Sequence, residues 1–396
     1  MNKGRLFTAS CIALIATAMS FAIRGDIMGD FETLFHLNKT NLGWISGAAF
    51  WGFGLSIFIG GPLCDVLGMG TIMRLAAAGH IGGTVLTLFA PNFEVLFLAT
   101  VIIGIANGLV EAAINPLIAT VYSDQKVKKL TALHAWFPGG IVIGGVLCFL
   151  FSQIGLGWQA KMLLMLIPSV IYTVMFLGQT FPETERQAAG VSFGDMFKEV
   201  LRPGFLFIWL CMWLTAATEL GPGQWYANIF NDVMHSEARA GILVLVWVNG
   251  IMYLLRQFGG GIAHRVSPIA LMAVTAIPAA LGLYLFGHVT TPMGAFAAVA
   301  LLAIGTAFWW PTMLGITSER YPRAGALGLA IVGGSGSFAT AISGPVMGWI
   351  NDMHGARAVL PIWSILPIGI ALAFAAMYLS DRATGGYKVE KLSAGV

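Results

Sequence analysis

The chain has 396 residues, of which 57% are hydrophobic and only 10% are charged. Soluble domains carry about 25% charged residues and must cover their exterior with polar groups, so a chain this apolar is not a soluble enzyme and has to face lipid. A formal net charge of +3 is too small to indicate a nucleic-acid partner.

Apolar stretches of about 20 residues, the length that crosses the hydrocarbon core, recur along the whole chain. The predicted helices are 6–30, 41–64, 71–90, 94–122, 128–154, 159–180, 204–230, 237–263, 268–288, 291–318, 323–352 and 357–380. No small-residue cleavage site follows the first apolar run, so we interpret it as an uncleaved helix. The fold class predicted is an all-α integral membrane protein with twelve transmembrane helices.

The longest polar stretch, 181–203, divides six predicted helices from six. We therefore predict an N-terminal six-helix bundle over 1–180, a cytoplasmic linker over 181–203, and a C-terminal six-helix bundle with a short cytoplasmic tail over 204–396. The two halves repeat weakly. Asn-Pro at 115–116 matches Trp-Pro at 310–311, and Gly-Gly at 139–140 matches Gly-Gly at 333–334, at offsets of 195 and 194. Internal repeats of this kind place the substrate site at their interface, near the bilayer midplane.

The distribution of Lys and Arg predicts the orientation, because cytoplasmic loops carry an excess of both. With the N-terminus inside, the outer segments hold only Lys39, Lys161, Arg239 and Arg357, and the inner segments hold most of the rest. We expect a multi-pass protein of the cell membrane, the inner membrane in a bacterium, with both termini cytoplasmic.

The segment GPLCDVLGMG after the second helix carries a glycine and acid pattern, Gly61, Asp65 and Gly68. Together with twelve helices and a six-plus-six repeat, it resembles the major facilitator superfamily. The resemblance implies two pseudo-symmetric six-helix bundles. Val66 stands where that family usually has a basic residue.

A narrower resemblance lies within it. GLVEAAINPL (108–117), the segment 25–54 and LTALHAWFPGG (130–140) are similar to the fourth helix, the first two helices and the fifth helix of the fucose:proton symporter family. The resemblance implies that Asp26 and Glu111 serve proton coupling and sugar binding. Trp136 or His134 sits where that family often has an amide, and Trp136 is predicted to bind the solute.

Ionisable residues inside membrane helices are costly and are functional candidates by default. Glu111 lies near the middle of the fourth helix, and Asn107 and Asn115 flank it one turn away on the same face. We interpret the three as substrate-binding residues. The alternative is a structural polar seam that joins this helix to a neighbour.

Two further candidate regions lie on the first and seventh helices. Arg24 and Asp26 are either external loop charges or functional groups, and spacing by two makes a pair between them unfavourable within one helix. Gly-Pro-Gly at 221–223 cannot remain a regular helix, so Gln224 and Trp225 are predicted to contact the solute. Glu219 is a third acid or a structural partner for Arg24. The alternative is a bent outer helix end with an aromatic belt.

Arg256 in the eighth helix either binds an anionic substrate or closes a cytoplasmic gate, and we favour the gate. The predicted gating residues are Asp65, Arg256, His264 and Arg265. Asn249 faces roughly as Arg256 does, and Trp310 in the tenth helix either lines the cavity or faces lipid. His80 and His134 are predicted to be packing residues.

The sequence contains no P-loop, CxxC or HExxH motif, and its four cysteines lie in apolar stretches without paired spacing. We therefore expect neither cofactor nor metal, and transport that is either driven by a gradient or facilitated. The function predicted is import of a sugar or related small polar solute by a monomer, with H⁺ as the coupling ion and Na⁺ as the alternative. Two other classes stay open: an organic-anion transporter that uses Arg24 or Arg256, and a membrane receptor or intramembrane enzyme.

Overall fold

The computed structural model describes residues 2–122, 126–183, 193–234, 241–258 and 266–390, which are helical with short connections and contain no strand. The helices of the first half are α1 (Lys3–Leu34), α2 (Lys39–Leu67), α3 (Met69–Leu88), α4 (Phe93–Val121), α5 (Lys126–His134, continued by Trp136–Gln153) and α6 (Trp158–Leu163, continued by Leu166–Phe176). Those of the second half are α7 (Pro203–Glu219, a 3-10 turn at Pro222–Gln224, and Tyr226–Met234), α8 (Ile242–Phe258), α9 (Pro268–Phe286), α10 (Pro292–Thr306, continued by Trp309–Arg320), α11 (Gly325–His354) and α12 (Ala356–Trp363, continued by Ile365–Ala383).

Ten helical stretches in the described ranges are long and apolar enough to cross a membrane. α8 adds a shorter apolar stretch, Ile242–Arg256. α3 adds a helix of 20 residues that carries Arg74 and His80. The predicted twelve-helix membrane fold is confirmed, although the predicted ends of the eighth helix, 237 and 263, lie outside the described residues.

Because the number of crossings is even, residue 2 and residue 390 lie on one side, which we call the terminal side. The other side is called the distal side. A short linker helix, Phe193–Val200, lies on the terminal side, where it packs against α11 and the 3-10 turn Pro322–Ala324 that precedes it. The division into bundles at 181–203 stays a prediction, and residues 184–192 of that segment lie outside the described part.

Polar caps start several helices at the distal turns. The side-chain oxygens of Asn38 and Asn92 accept hydrogen bonds from the backbone N–H groups of Asn41 and Val95, at the beginnings of α2 and α4. Such caps satisfy backbone donors that the first helical turn leaves unpaired. The starts of these helices are therefore encoded locally.

Glycine lets α2 and α11 approach closely in the distal part of the molecule. A Cβ atom on Gly43 would overlap the backbone of Gly344 and Pro345, and one on Gly47 would overlap the carbonyl of Ala341. Towards the terminal side the contact continues to Phe58 and Phe338, whose rings stack 5.7 Å apart. Small residues allow such backbone contact between membrane helices. The two halves are thus closed on each other at the distal side.

Lys161 lies at the distal end of α6, on the side that the Lys and Arg distribution predicts to be outer. Lys161 lies inside α6, its side chain is fully buried, and its ammonium forms an ion pair with Asp26 of α1. Trp158 begins the helix only shortly before it, and Asp26 supplies the counter-charge that permits burial. Positional counting could not find this pair because its partners lie on different helices.

Candidate substrate and proton site

Glu111 is joined by hydrogen bonds to the neighbouring α5. Asn115 Nδ2 donates to Glu111 Oε2 over 3.0 Å, and His134 Nε2 lies 2.9 Å from Asn115 Oδ1. Since a side-chain amide oxygen only accepts, His134 donates this bond. Glu111 and Asn115 are partly exposed and His134 is exposed. The prediction that His134 is a packing residue is wrong: it ends the first segment of α5, where the helix breaks at Ala135, and its ring stays accessible.

Asn107 belongs to a different network. It is fully buried, donates to Ser20 Oγ over 2.9 Å, and lies 2.8 Å from His80 Nε2. His80 Nδ1 in turn lies 3.0 Å from the hydroxyl of Tyr172. Asn107 therefore contributes to a polar seam through α1, α3, α4 and α6, and its predicted substrate contact is not supported. Asn107 and Glu111 are thus one helical turn apart in α4, but the amide of Asn107 is packed and the carboxyl group of Glu111 is accessible.

The second half faces the middle of α5 through α8. Asn249, Tyr253 and Arg256 share one face of α8, at spacings of four and three residues. A Cβ atom on Gly139 of α5 would lie 3.5 Å from Trp136 and 3.8 Å from the ring of Tyr253. Trp136, which is 39% exposed, and Tyr253 therefore flank the same point at the interface of the halves. Sequence reasoning missed Tyr253, although its spacing from Arg256 was a usable signal.

Arg256 is held inside the second half. Its Nη2 donates to Glu219 Oε1 over 2.8 Å, and its Nε donates to the carbonyl of Ala307 over 2.7 Å. Of the two alternatives for Glu219, a third acid or a partner for Arg24, the structure does not show the second, because Glu219 pairs with Arg256 of α8. The predicted gating role of the other three residues stays untested. The side chain of Asp65 is not described, and His264 and Arg265 lie outside the described residues.

We expect Arg256→Gln to lower the rate of transport more than the affinity for solute. Its guanidinium is engaged by Glu219 and Ala307, so it ties three helices of one half together. Initial rates and binding constants in proteoliposomes check this, with Arg256→Lys as the charge-preserving control. Loss of binding in a folded Arg256→Gln protein would make Arg256 a ligand of the solute.

The remaining candidates of the second half are packed to different degrees. Trp310 is partly buried and lies against Gly336 of α11. Asn249 is 8% exposed, and its amide donates to the carbonyl of Leu245, one turn earlier in α8. Neither is fully enclosed, so both stay candidates for the cavity lining.

The bend of α7 holds α1 rather than opening a cavity. Gln224 accepts a hydrogen bond from Arg24 Nε over 2.9 Å and donates to the carbonyl of Phe21 over 3.2 Å. Trp225 is fully buried in the apolar core. Its predicted contact with a solute is therefore wrong for this closed arrangement, because the 3-10 turn Pro222–Gln224 directs the indole into packed helices.

An aromatic cluster lies beside this contact. The ring of Phe21 stacks on Phe50 with centroids 4.8 Å apart and lies 6.0 Å from Phe137 of α5. The guanidinium of Arg24 sits 5.0 Å from the centroid of the same ring. A cation over an aromatic face is stabilised by the ring quadrupole. The cluster separates Arg24 from the terminal half of the molecule.

Charged and polar groups lock the distal side, and we call this set the distal lock. Lys39 Nζ lies within 2.8 Å of Glu32, 3.0 Å of Asn228 and 3.1 Å of Asp232, which joins α1 and α2 to α7. Asp352 of α11 accepts hydrogen bonds from the backbone N–H groups of Lys39 and Thr40 and from the Thr40 hydroxyl. An acid from one half thus caps the first turn of a helix of the other half.

We expect Asp352→Ala to weaken closure of the distal side. The substitution leaves N–H groups of α2 without their cap, and capping contributes about 0.5–2 kcal/mol. A cysteine at exposed Gly29, in the distal part of α1, should react faster with an impermeant maleimide in this background. Asp352→Asn, which retains one acceptor oxygen, is the matched control. An unchanged labelling rate in Asp352→Ala would show that the cap does not hold the lock.

Asp26 opens onto the distal side and not onto the Glu111 network. It borders a cavity of about 200 Å³ between α1 and α7, lined by Gly25, Asp26, Gly29, Asp30, Glu32, Asn228, Asn231 and Asp232. Asp26 lies about 12 Å and Glu111 about 27 Å from the distal ends of their helices, at about 1.5 Å per residue. The two predicted coupling acids therefore lie at different depths in the molecule.

Known proteins share this architecture. The family model described as Major Facilitator Superfamily matches residues 6–336. The membrane protein MosC of Rhizobium meliloti is 21% identical over 392 residues, which cover 97% of this chain and 93% of MosC. A mutant of the nucleoside transporter NupG is 17% identical, with a TM-score of 0.78 over 95% of this chain and 99% of that one. A D-xylose-proton symporter is 15% identical, with a TM-score of 0.78 over 93% of this chain and 96% of the other.

Proposed function

We propose that this chain, which belongs to the Major Facilitator Superfamily, is a proton-coupled symporter of a sugar or related small polar solute. The family and the transporters among its relatives identify it as a membrane transporter and not an enzyme. In such proteins two repeats rock about a site near the midplane, which is exposed to each side in turn. The distal lock is one of the closures that this motion requires.

Glu111 is the observation that supports proton coupling. It is a carboxyl group within a membrane helix, and its described hydrogen bond comes from the neutral amide of Asn115. Gaining a proton would therefore leave no cation without a partner. Glu219 and Asp26 differ, because each is paired with a cation, Arg256 and Lys161 respectively. A site that loads and unloads protons is best served by an acid without such a fixed charge.

Polar and aromatic groups on α4, α5 and α8 support a hydroxylated solute. Asn115 and His134 supply hydrogen-bonding groups, and Trp136 and Tyr253 supply aromatic faces from the two halves. The resemblance of 25–54 and 108–117 to fucose:proton symporters points to the same class, as does the likeness to a D-xylose-proton symporter. Trp136, Asn115 and Glu111 are the predicted sugar contacts that this arrangement favours.

Reconstitution into proteoliposomes tests the proposal. Radiolabelled sugars, polyols and carboxylates would be offered with an inward H⁺ gradient, an inward Na⁺ gradient or no gradient. Accumulation of a polyhydroxylated solute driven by H⁺ alone is expected. Accumulation driven by Na⁺ alone would identify Na⁺, and not H⁺, as the coupling ion. Binding or turnover without counterflow would indicate a receptor or an intramembrane enzyme.

The cytoplasmic position of both termini stays a prediction that labelling can check. A cysteine at exposed Lys388, on the terminal side, should react only in inverted vesicles. A cysteine at exposed Thr290, in the distal turn before α10, should react in intact cells. The reverse pattern would overturn the orientation while leaving the fold unchanged.

A further inference from the structure

Arg24 is a buried cation for which the described residues offer no acid. Its residue is 4% exposed, Nε donates to the neutral amide of Gln224, and Nη2 is buried without a hydrogen-bond partner. Two other cations in the described part of the membrane helices have carboxylate partners: the fully buried Lys161 has Asp26, and the partly buried Arg256 has Glu219. A guanidinium is always charged and offers five donors in a planar fork.

Burial without a counter-charge is unfavourable, because the desolvation of an ion is repaid only by a well-placed partner. The Phe21 ring and the Gln224 amide stabilise the guanidinium, but neither carries a negative charge. A buried guanidinium with an unused donor in an apolar helix is therefore suited to bind an anion.

Arg24 lies at a contact between the two halves. The Arg24–Gln224 hydrogen bond joins α1 of one half to the bend of α7 in the other, so separation of the halves at the distal side breaks it. The next residues, Gly25 and Asp26, border the distal cavity of about 200 Å³. Once that contact opens, the guanidinium donors and the Gln224 amide face the same opening.

We propose that the transported solute carries a carboxylate as well as hydroxyl groups, as a sugar acid does, and that Arg24 binds this carboxylate. This inference rests on the proposed transport function and narrows its substrate class. Arg256 does not fill the role, because Glu219 already neutralises it. A monoanionic solute that moves with one proton on Glu111 crosses without net charge, so its uptake depends on the pH gradient and not on the membrane potential.

Binding to the purified protein tests the inference without requiring transport. The probes are D-glucuronate and D-glucose, which share a ring and differ in the carboxylate, with sodium chloride and sodium phosphate as inorganic anions. The melting temperature should rise with D-glucuronate more than with D-glucose at equal concentration. Arg24→Gln should lower the affinity for D-glucuronate by about 10-fold to 100-fold, the range of a hydrogen bond to a charged group.

Two variants guard against an effect of misfolding. Arg24→Lys retains the charge and should retain part of the preference for the acid. Arg357→Gln removes a distal arginine that binds the carbonyls of Val289 and Val233, and should leave the preference unchanged.

Four results would overturn the inference: equal stabilisation by acid and sugar, no response to the acid, an equal response to the inorganic anions, or an undiminished preference in Arg24→Gln. Proton-driven accumulation of neutral sugars alone would refute the inference and leave the proposed function standing. Failure of every solute to accumulate under a pH gradient would instead refute the proposed function.

Discussion

Glu111→Gln should abolish accumulation of the solute against its gradient while leaving exchange of solute across the membrane intact. The glutamine imitates a protonated glutamate, so the site can still reorient with solute bound but can no longer release a proton. Net uptake by symport requires that release, whereas exchange does not. Uptake driven by a pH gradient and counterflow in the same proteoliposomes measure the two activities separately.

Glu94→Gln provides the matched control. Glu94 is an exposed acid in the first turn of the same helix, α4, and its replacement should leave both activities unchanged. Wild-type accumulation by a folded Glu111→Gln protein would refute Glu111 as the coupling acid. Loss of counterflow together with accumulation would instead make Glu111 a ligand of the solute.

Replacing either partner of the Asp26–Lys161 pair alone should destabilise the protein strongly. Both side chains are at least 97% buried, at 3% and 0% exposure, so each single substitution removes the ion-pair partner of a buried charge inside the first half. The expected cost is about 3–5 kcal/mol for Asp26→Asn or Lys161→Met. The double variant removes both charges and should recover most of that loss, which fluorescence-monitored melting of the detergent-solubilised protein would show.

An exposed pair serves as the comparison. Glu390 and Arg202 are each about half exposed and lie 3.3 Å apart, so Glu390→Gln should change the melting temperature little. Equal losses in the double and the single variants would show that the pair does not act as a unit. The double variant also tests coupling: if it folds and accumulates solute normally, Asp26 is not a coupling acid. If neither Asp26 nor Glu111 proves to be the coupling acid, Glu219 becomes the next candidate for that role.

The polar residues of α4 show what helical spacing can and cannot predict. The acid and amide at 111 and 115 are one helical turn apart, and their hydrogen bond follows from that spacing. Asn107 has the same spacing from Glu111, yet its amide is hydrogen-bonded to Ser20 and His80. Periodicity assigns residues to a face of a helix, but the neighbouring helices decide whether that face is packed or accessible.

The amino-acid sequence by itself determined the membrane class, the number of helices and the candidate acids. Hydropathy depends on composition along the chain, and a charge within an apolar run is visible without knowledge of its neighbours. Only the tertiary structure decided the partners: Lys161 for Asp26, Arg256 for Glu219, Gln224 for Arg24, and Asp352 for the start of α2. These contacts join residues far apart in the chain, and their strength depends on burial and on distances between helices. One sequence pattern is therefore compatible with many pairings, and packing selects among them.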